Sequence, residues 1–190
     1  MPIGSAPSPS YRRVMIFIDG GYIRECLKEK FGKDDISPDG FQNLIHSLIT
    51  YVHFGTIRGE LIRTYYYDAI VDENEKDERE KQNQFFDVLR QVPFCTVRLG
   101  RLIKTEKEHR QKGVDILMAI DMLTKSYENH YEIAILLCGD DDFIDLVEAV
   151  KNTGKRVYGA YIPRHVSNKL LKTLDIRISL DENSLKKLIS

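Results

Sequence analysis

Short apolar runs alternate with amphipathic segments along most of the chain, and this alternation predicts its secondary structure. The apolar run at 14–18 and the segment at 132–138, which is apolar after Glu132, end directly at an acidic residue or a glycine, which is typical of buried β-strands. Runs rich in β-branched and aromatic residues predict further strands at 60–70, 95–103, 155–162 and 174–180. Apolar positions at helical spacing predict helices at 21–31, 41–52, 85–92, 113–127, 143–154, 167–174 and 181–190.

Strands that alternate with helices indicate an α/β fold. Such a chain folds through right-handed crossovers into a mostly parallel sheet, here of five to six strands, with helices on both faces. Ligands of these folds bind beyond the carboxyl ends of the strands, where the strand order reverses. If the strands at 14–18 and 132–138 are neighbours at that point, the acidic residues that follow them meet there.

Composition narrows the class of protein. The 190 residues, of which 42% are hydrophobic, suit one compact domain, which we place at 12–190 after a flexible tail at 1–11. The net charge of −1 excludes a strongly basic protein that coats nucleic acid, although it allows a local basic path. No apolar run approaches the roughly 18 residues that cross a membrane. The three cysteines lie far apart without zinc-ligand spacing, which favours reduced thiols in a cytoplasmic protein.

Aspartates at the predicted ends of strands and helices are the candidate chemical groups. Asp19 follows the first strand, Asp115 begins the helix at 113–127, and Asp140–Asp142 follow the strand at 132–138. At about 4 Å and an effective dielectric of about 20, each pair of like charges costs roughly 4 kcal/mol, so either the carboxylates point apart or a cation is expected between them. Mg²⁺ and Mn²⁺ prefer oxygen ligands and often bind a few carboxylates together with a substrate phosphate. Helix capping or a turn would explain each aspartate taken singly.

Other common catalytic sites have no support in the sequence. It contains neither a Walker phosphate loop nor the DxDxT pattern of haloacid-dehalogenase-type phosphatases. The five histidines are scattered singly, and no nucleophile elbow supports a Ser-His-Asp triad. The carboxylates therefore remain the main candidates for chemistry.

Three stretches together resemble the NYN domain family, the LabA-like members of the PIN-like nuclease superfamily. They are VMIFIDGGY at 14–22, KGVDILMAIDML at 112–123 and ILLCGDDDFIDLVEAVKNTGKRVYG at 135–159, and a later S-x-x-L-x-x-x-x-D pattern adds to them. The resemblance covers roughly 12–180. It implies a three-layer α/β/α PIN-like fold, which is Rossmann-like in its arrangement of strands and helices.

The resemblance also implies a function. Families of this kind hydrolyse RNA phosphodiesters with Mg²⁺ or Mn²⁺, so the chain is expected to be a metal-dependent ribonuclease, and an endonuclease in particular. Residues that match the family acids are expected to be both the catalytic residues and the metal ligands: Asp19, Asp115, Asp140 and Asp142. Asp141 falls on the variable position between the last two, which implies a spacer.

An RNA substrate requires basic groups near the acids. The segment 98–112 holds six basic residues against two acidic ones, a net charge of +4, and a solvated loop would have the same composition. We expect Lys112, Arg110 and Tyr22 to contact the substrate. Single-stranded RNA is the expected form, because unpaired bases can stack on exposed tyrosines.

One position departs from the family pattern. Tyr22 stands where the family motif DGxN has asparagine, so a polar group near Asp19 is replaced. This substitution motivates an alternative function, a catalytically weak or inactive PIN-like module that binds RNA or protein partners. The sequence also leaves open whether identical chains assemble into an oligomer.

Overall fold

The computed structural model describes residues 10–71, 75–104 and 109–189. These residues form seven strands: β1 (Ser10–Asp19), β2 (Ile57–Val71), β3 (Cys95–Lys104), β4 (His109–Lys112), β5 (Ile133–Leu137), β6 (Arg156–Tyr161) and β7 (Ile176–Ser179). The α-helices are α1 (Gly20–Phe31), α2 (Pro38–Thr50), α3 (Lys76–Arg90), α4 (Val114–Tyr127), α5 (Ile144–Asn152), α6 (Asn168–Thr173) and α7 (Glu182–Lys186). A 3₁₀ turn, Asp141–Phe143, precedes α5.

The strands form one sheet in the order β4-β3-β2-β1-β5-β6-β7. All neighbouring pairs are parallel except β3 and β4, which form an antiparallel hairpin at one edge. The predicted α/β class and mostly parallel sheet are confirmed. The short edge strand β4 is additional, because the polar sequence HRQK carries no apolar signal from which a strand could be predicted.

Strand order reverses beside β1. From β1 the chain adds β2 and β3 on one side, and after β4 it adds β5, β6 and β7 on the other side. The two strands expected to be neighbours, β1 and β5, are paired in parallel from Val14 to Ile18. The loops that follow β1 and β5 therefore leave the same edge of the sheet on either side of the reversal, where α/β folds bind their ligands.

Helices cover both faces of the sheet. The side chains of Val14, Ile16 and Ile18 in β1 contact one core, which α1, α2, α3 and α7 complete. Those of Met15 and Phe17 contact a second core on the opposite face, against α4, α5 and α6. This division follows from the two-residue period of a strand buried on both faces. The result is the expected three-layer α/β/α architecture.

Several elements begin earlier than predicted. β1 begins at Ser10, two residues before the expected start of the domain, where Ser10 and Tyr11 pair with β2. α3 begins at Lys76, so most of the charged stretch before the apolar positions is already helical. Within the three described segments, no helix has both the length and the apolar character needed to cross a bilayer.

Candidate metal centre

Asp19 is placed by the junction of β1 and α1. It is the last residue of β1 and the N-cap of α1, where one carboxylate oxygen accepts a hydrogen bond of 3.0 Å from the Tyr22 amide. The next residue, Gly20, is the first of α1 and lies against the ring of Tyr66, where any side chain would clash. The short junction holds the partly buried Asp19 carboxyl group at the carboxyl edge of the sheet.

Asp140, Asp141 and Asp142 follow β5 at the same edge. Asp140 caps the 3₁₀ turn, and its carboxylate accepts a hydrogen bond of 3.0 Å from the Asp142 amide. Each of the three residues offers a carboxylate oxygen, and these oxygens all lie within 4.8 Å of one another. Capping by Asp140 is thus present, as the simplest interpretation predicted, but it accounts for only one of the three acids.

Asp115 approaches this group from α4. It lies in the first turn of that helix, which begins after β4 and Gly113. Although Asp115 is exposed as a residue, partial burial of its carboxyl group raises its pKa, and the negative charges of Asp140 and Asp142 raise it further. α4 therefore brings its acid within electrostatic range of the acids that follow β5.

The pKa of Asp19 reflects both its burial and its acidic neighbours. It is raised to about 7, with burial as the largest cause and smaller contributions from the charges of Asp115, Asp68 and Asp140. The hydrogen bond from the Tyr22 amide opposes this shift but is too weak to cancel it. Near neutral pH a proton therefore occupies this carboxyl group about half of the time, and a bound cation would displace it.

Asp141 differs from the other acids of the site because it has a basic partner. Its carboxylate lies 3.2 Å from the ammonium group of Lys169 on α6. Asp141 is not among the charges that raise the pKa of Asp19 or of Asp115. The structure thus brings Asp19, Asp115, Asp140 and Asp142 together electrostatically, and turns the middle acid of the run toward a lysine.

Among the side chains that the structure describes, which do not include those of 102–112, no lysine or arginine lies within ion-pair distance of the four grouped acids. Neighbouring aspartates do have such partners. Their donors are all carboxylate oxygens, the ligand type that Mg²⁺ and Mn²⁺ prefer. The donor chemistry and the uncompensated charge both fit a divalent cation.

Tyr22 connects two sides of the site. Its hydroxyl oxygen accepts a hydrogen bond of 2.9 Å from the Ile162 amide at the end of β6. Its ring lies against Gly139, where a β-carbon would clash with both the ring and the carbonyl oxygen of His165. Burial raises the pKa of the Tyr22 phenol, which therefore stays neutral. Contact with a substrate stays a prediction for this residue.

The predicted basic segment is divided between different environments. Arg98 lies 3.0 Å from the Asp121 carboxylate, so its charge is already compensated. The backbone of Lys112 pairs with Arg101, and that of Arg110 with Ile103, which places both residues in the edge strand β4. Positions 105–108 of the segment lie outside the described residues.

Two further groups at this edge were not identified as site residues from the sequence. Asp68, at the carboxyl end of β2, is only 2% exposed and pairs with Arg24 of α1 at 3.1 Å. Its position after an aromatic strand was a signal, but its partner in α1 was not predictable from spacing. Lys169 had no signal at all, because its partner Asp141 lies far away in sequence.

Comparisons with known proteins agree with this architecture. The family model of the NYN domain matches residues 13–181. A protein of unknown function from Vibrio parahaemolyticus has a similar structure, with a TM-score of 0.66 and 22% identity over 94% of this chain and 98% of that chain. This likeness supports the fold alone. No curated protein matches the sequence.

Weaker structural likenesses carry no argument. A Listeria monocytogenes protein gives a TM-score of 0.40 and 10% identity, over 95% of this chain and 42% of that chain. A Parabacteroides merdae protein gives a TM-score of 0.33 and 12% identity, over 90% of this chain and 32% of that chain.

Proposed function

The chain belongs to the NYN domain family of PIN-like nucleases, and on this basis we propose that it is a divalent-metal-dependent ribonuclease. The proposed reaction is hydrolysis of RNA phosphodiester bonds, as an endonuclease, at the acidic site beside β1 and β5. A single observation carries the proposal: the carboxylates of Asp19, Asp115, Asp140 and Asp142 interact electrostatically at one edge of the sheet, and none has a basic partner among the described side chains.

The proposed metal ligands are these four carboxylates. Mg²⁺ or Mn²⁺ bound to them would stabilise negative charge on the phosphate and lower the pKa of water for attack. Asp19 is the most buried of the four, and its proton, which is held up to about pH 7, must leave when a cation binds. Binding of the ion and release of this proton are therefore linked.

The chain's own groups determine the geometry around that ion. The Tyr22 amide fixes one oxygen of Asp19, and the Asp142 amide fixes one oxygen of Asp140, which leaves each carboxylate a second oxygen for a cation. Both amides belong to the first turn after a strand, so the two carboxylates are oriented by backbone rather than by flexible side chains. Such fixed donors lose little freedom when a ligand binds.

The proposed substrate is single-stranded RNA. Lys112, Arg110 and Tyr22 are the residues proposed to contact it, together with the exposed Arg101 opposite Lys112. The three free cysteines are consistent with the proposed cytoplasmic location. Whether the active form is a monomer or an oligomer of identical chains is part of what the experiments must determine.

The decisive experiment measures cleavage of single-stranded RNA with Mg²⁺, with Mn²⁺ and with EDTA. We expect metal-dependent cleavage that Asp140→Asn reduces by roughly a hundredfold or more, because one charge at the reaction centre is lost. Asp145→Asn is the matched control, since it removes an exposed acid of α5 by the same change. Metal-dependent cleavage that survives Asp140→Asn unaltered would exclude this site.

The same experiment distinguishes the ribonuclease from the alternative function, a PIN-like module that only binds RNA or protein. A protein that binds several RNAs or a protein partner but cleaves none of them with either metal is a binding module that has kept the fold. In that case Tyr22→Asn is the variant to make, because it returns the polar group of the family motif to the position three residues after Asp19.

A further inference from the structure

The connection between β6 and α6, residues 162–167, is fixed against the acidic site. At its start, the Ile162 amide donates to the Tyr22 hydroxyl at 2.9 Å. At its end, the Ser167 amide donates to the Gly139 carbonyl oxygen at 2.8 Å, directly before Asp140. The carbonyl group of His165 lies against the α-carbon of Gly139. This connection therefore forms one wall of the site.

Arg164, in the middle of this wall, has an unusual backbone and a free charge. Its φ angle is 72°, in the left-handed region that an arginine adopts only at a cost. The side chain is exposed, and among the described parts of the chain its guanidinium has neither a hydrogen-bond nor an ion-pair partner. No described side chain therefore compensates this charge.

Lys169 follows on the first turn of α6. Its ammonium group lies 3.2 Å from Asp141, whose carboxylate lies within 4.8 Å of those of Asp140 and Asp142. The lysine side chain is 79% exposed, and an ion pair so exposed contributes little to folding. Because this pair is exposed, unlike that of Arg98 with the buried Asp121, the Lys169 ammonium group can exchange Asp141 for a phosphate at the border of the acidic group.

We propose that Arg164 and Lys169 form a cationic rim on the β6 side of the acidic site, which binds backbone phosphates of single-stranded RNA. This inference rests on the proposed ribonuclease function. An RNA strand that approaches the site meets at least four carboxylates, and the repulsion between them and its phosphates must be offset by fixed cations as well as by a metal ion. The rim lies across the reversal point from β3 and β4, which carry the predicted basic segment.

The test measures binding of a fluorescein-labelled oligouridylate at several KCl concentrations, without divalent ions, so that no cleavage occurs. The variants are Arg164→Gln, Lys169→Gln and the double variant. The matched control is the double variant Lys28→Gln/Lys33→Gln, which removes the same charge from exposed positions at the far end of α1. Thermal unfolding of each variant verifies that it is folded.

We expect each rim variant to weaken binding severalfold and to flatten the slope of log Kd against log salt by about 0.7, the value for one lost contact to a single-strand phosphate. The control should keep the slope of the natural protein. A rim variant with an unchanged slope and Kd, or a natural protein that does not bind the oligouridylate, would overturn the proposal.

Cleavage with Mn²⁺ separates this inference from the proposed function. If the natural protein cleaves RNA, the rim variants should raise KM and leave kcat nearly unchanged, because the rim contacts the strand away from the reacting phosphate. Equal KM values would refute the rim and leave the ribonuclease intact. A natural protein that binds the oligouridylate through the rim but never cleaves it would instead refute the ribonuclease.

Discussion

Two sets of aspartates in this fold have opposite surroundings. Asp68 and Asp121 are almost fully buried, and each has cationic and phenolic partners: Arg24 and Tyr66 for the first, Arg98, Lys125 and Tyr67 for the second. Asp19 and Asp115 lie close to other acids and have no basic partner among the described side chains. The residue type is the same, and only the supply of counter-charge differs.

This difference separates acids that hold the fold together from acids kept for a ligand. A buried carboxylate is tolerated when donors and cations surround it, and removing one partner exposes the full cost of its burial. An uncompensated group of carboxylates costs stability until a cation arrives. When the cation binds, the protein regains the stability that it lacks in the metal-free form.

The largest effect is expected when Arg24, the cation beside Asp68, is removed. Arg24→Met leaves Asp68 buried with only neutral donors, and we expect a loss of about 3 to 5 kcal/mol in the free energy of unfolding at neutral pH. Burial raises the pKa of Asp68 above its ordinary value in the folded protein, so the loss should shrink as the pH falls toward that raised pKa, where the protonated acid no longer needs a cation. Chemical denaturation at several pH values measures both effects.

Arg98→Met is the control for this prediction. Asp121 keeps the Lys125 ammonium at 3.3 Å and the Tyr67 hydroxyl at 3.1 Å when Arg98 is removed. Its loss of stability should therefore be clearly smaller than that of Arg24→Met. Equal losses would mean that the number of partners does not determine how an acid is tolerated here.

The second prediction concerns Asp19 without metal. Folding raises its pKa to about 7, so stability should decrease as the pH rises from about 4 to 7 and then level off. The difference between the folded and unfolded pKa values corresponds to at most about 4 kcal/mol. Asp19→Asn should remove this part of the pH dependence and be the more stable protein at pH 8.

Mn²⁺ provides the control for this effect. Added metal should raise the melting temperature of the natural protein strongly at pH 8 and weakly at pH 5, where a proton occupies Asp19. Asp19→Asn should respond weakly at both values. A natural protein whose stability is unaffected by Mn²⁺ at pH 8 would contradict the assignment of Asp19 as an acid kept for a ligand.

A smaller effect is expected at Tyr22. Tyr22→Phe removes the acceptor of the Ile162 amide and should cost about 1 to 2 kcal/mol in the free energy of unfolding. The exposed Tyr127, changed to phenylalanine, is the matched control. A cost no greater than that of the control would show that water satisfies the amide and that Tyr22 does not secure the wall of the site.

The smallest effect is expected at Asp141. Asp141→Asn should change the rate of RNA cleavage by less than about threefold, since its exposed pair with Lys169 is weak and it is not coupled to Asp19 or Asp115. Asp142→Asn should reduce the rate roughly a hundredfold or more. Equal losses for the two variants would remove the distinction between them.

The sequence predicts the framework because the framework depends on local periodicity. The apolar runs at 14–18 and 132–138 identified β1 and β5, and the reversal rule then placed Asp19 beside Asp140. The face of the sheet on which an acid lies was harder to predict. Asp19 pairs in register with Tyr67, so Asp68, one residue further, points to the other core and meets Arg24.

Contacts between distant residues account for what could not be predicted. Lys169 meets Asp141 only because α6 packs beside the 3₁₀ turn, and the hydroxyl of Tyr22 meets Ile162 across the sheet. No spacing or composition encodes such contacts. The sequence thus identifies the acids at the site, while the partners that restrain or neutralise them appear only in the folded chain.

The absence of a side chain at Gly139 allows Tyr22 and His165 to approach each other. The space above its α-carbon is taken by the ring of Tyr22 on one side and by the His165 carbonyl group on the other. A single methyl group on this α-carbon would push the Tyr22 ring and the 162–167 connection apart. Glycine at 139 is therefore required twice, by the ring at position 22 and by the backbone at position 165, so that reducing the side chain at 22 alone would not make room for a larger residue at 139.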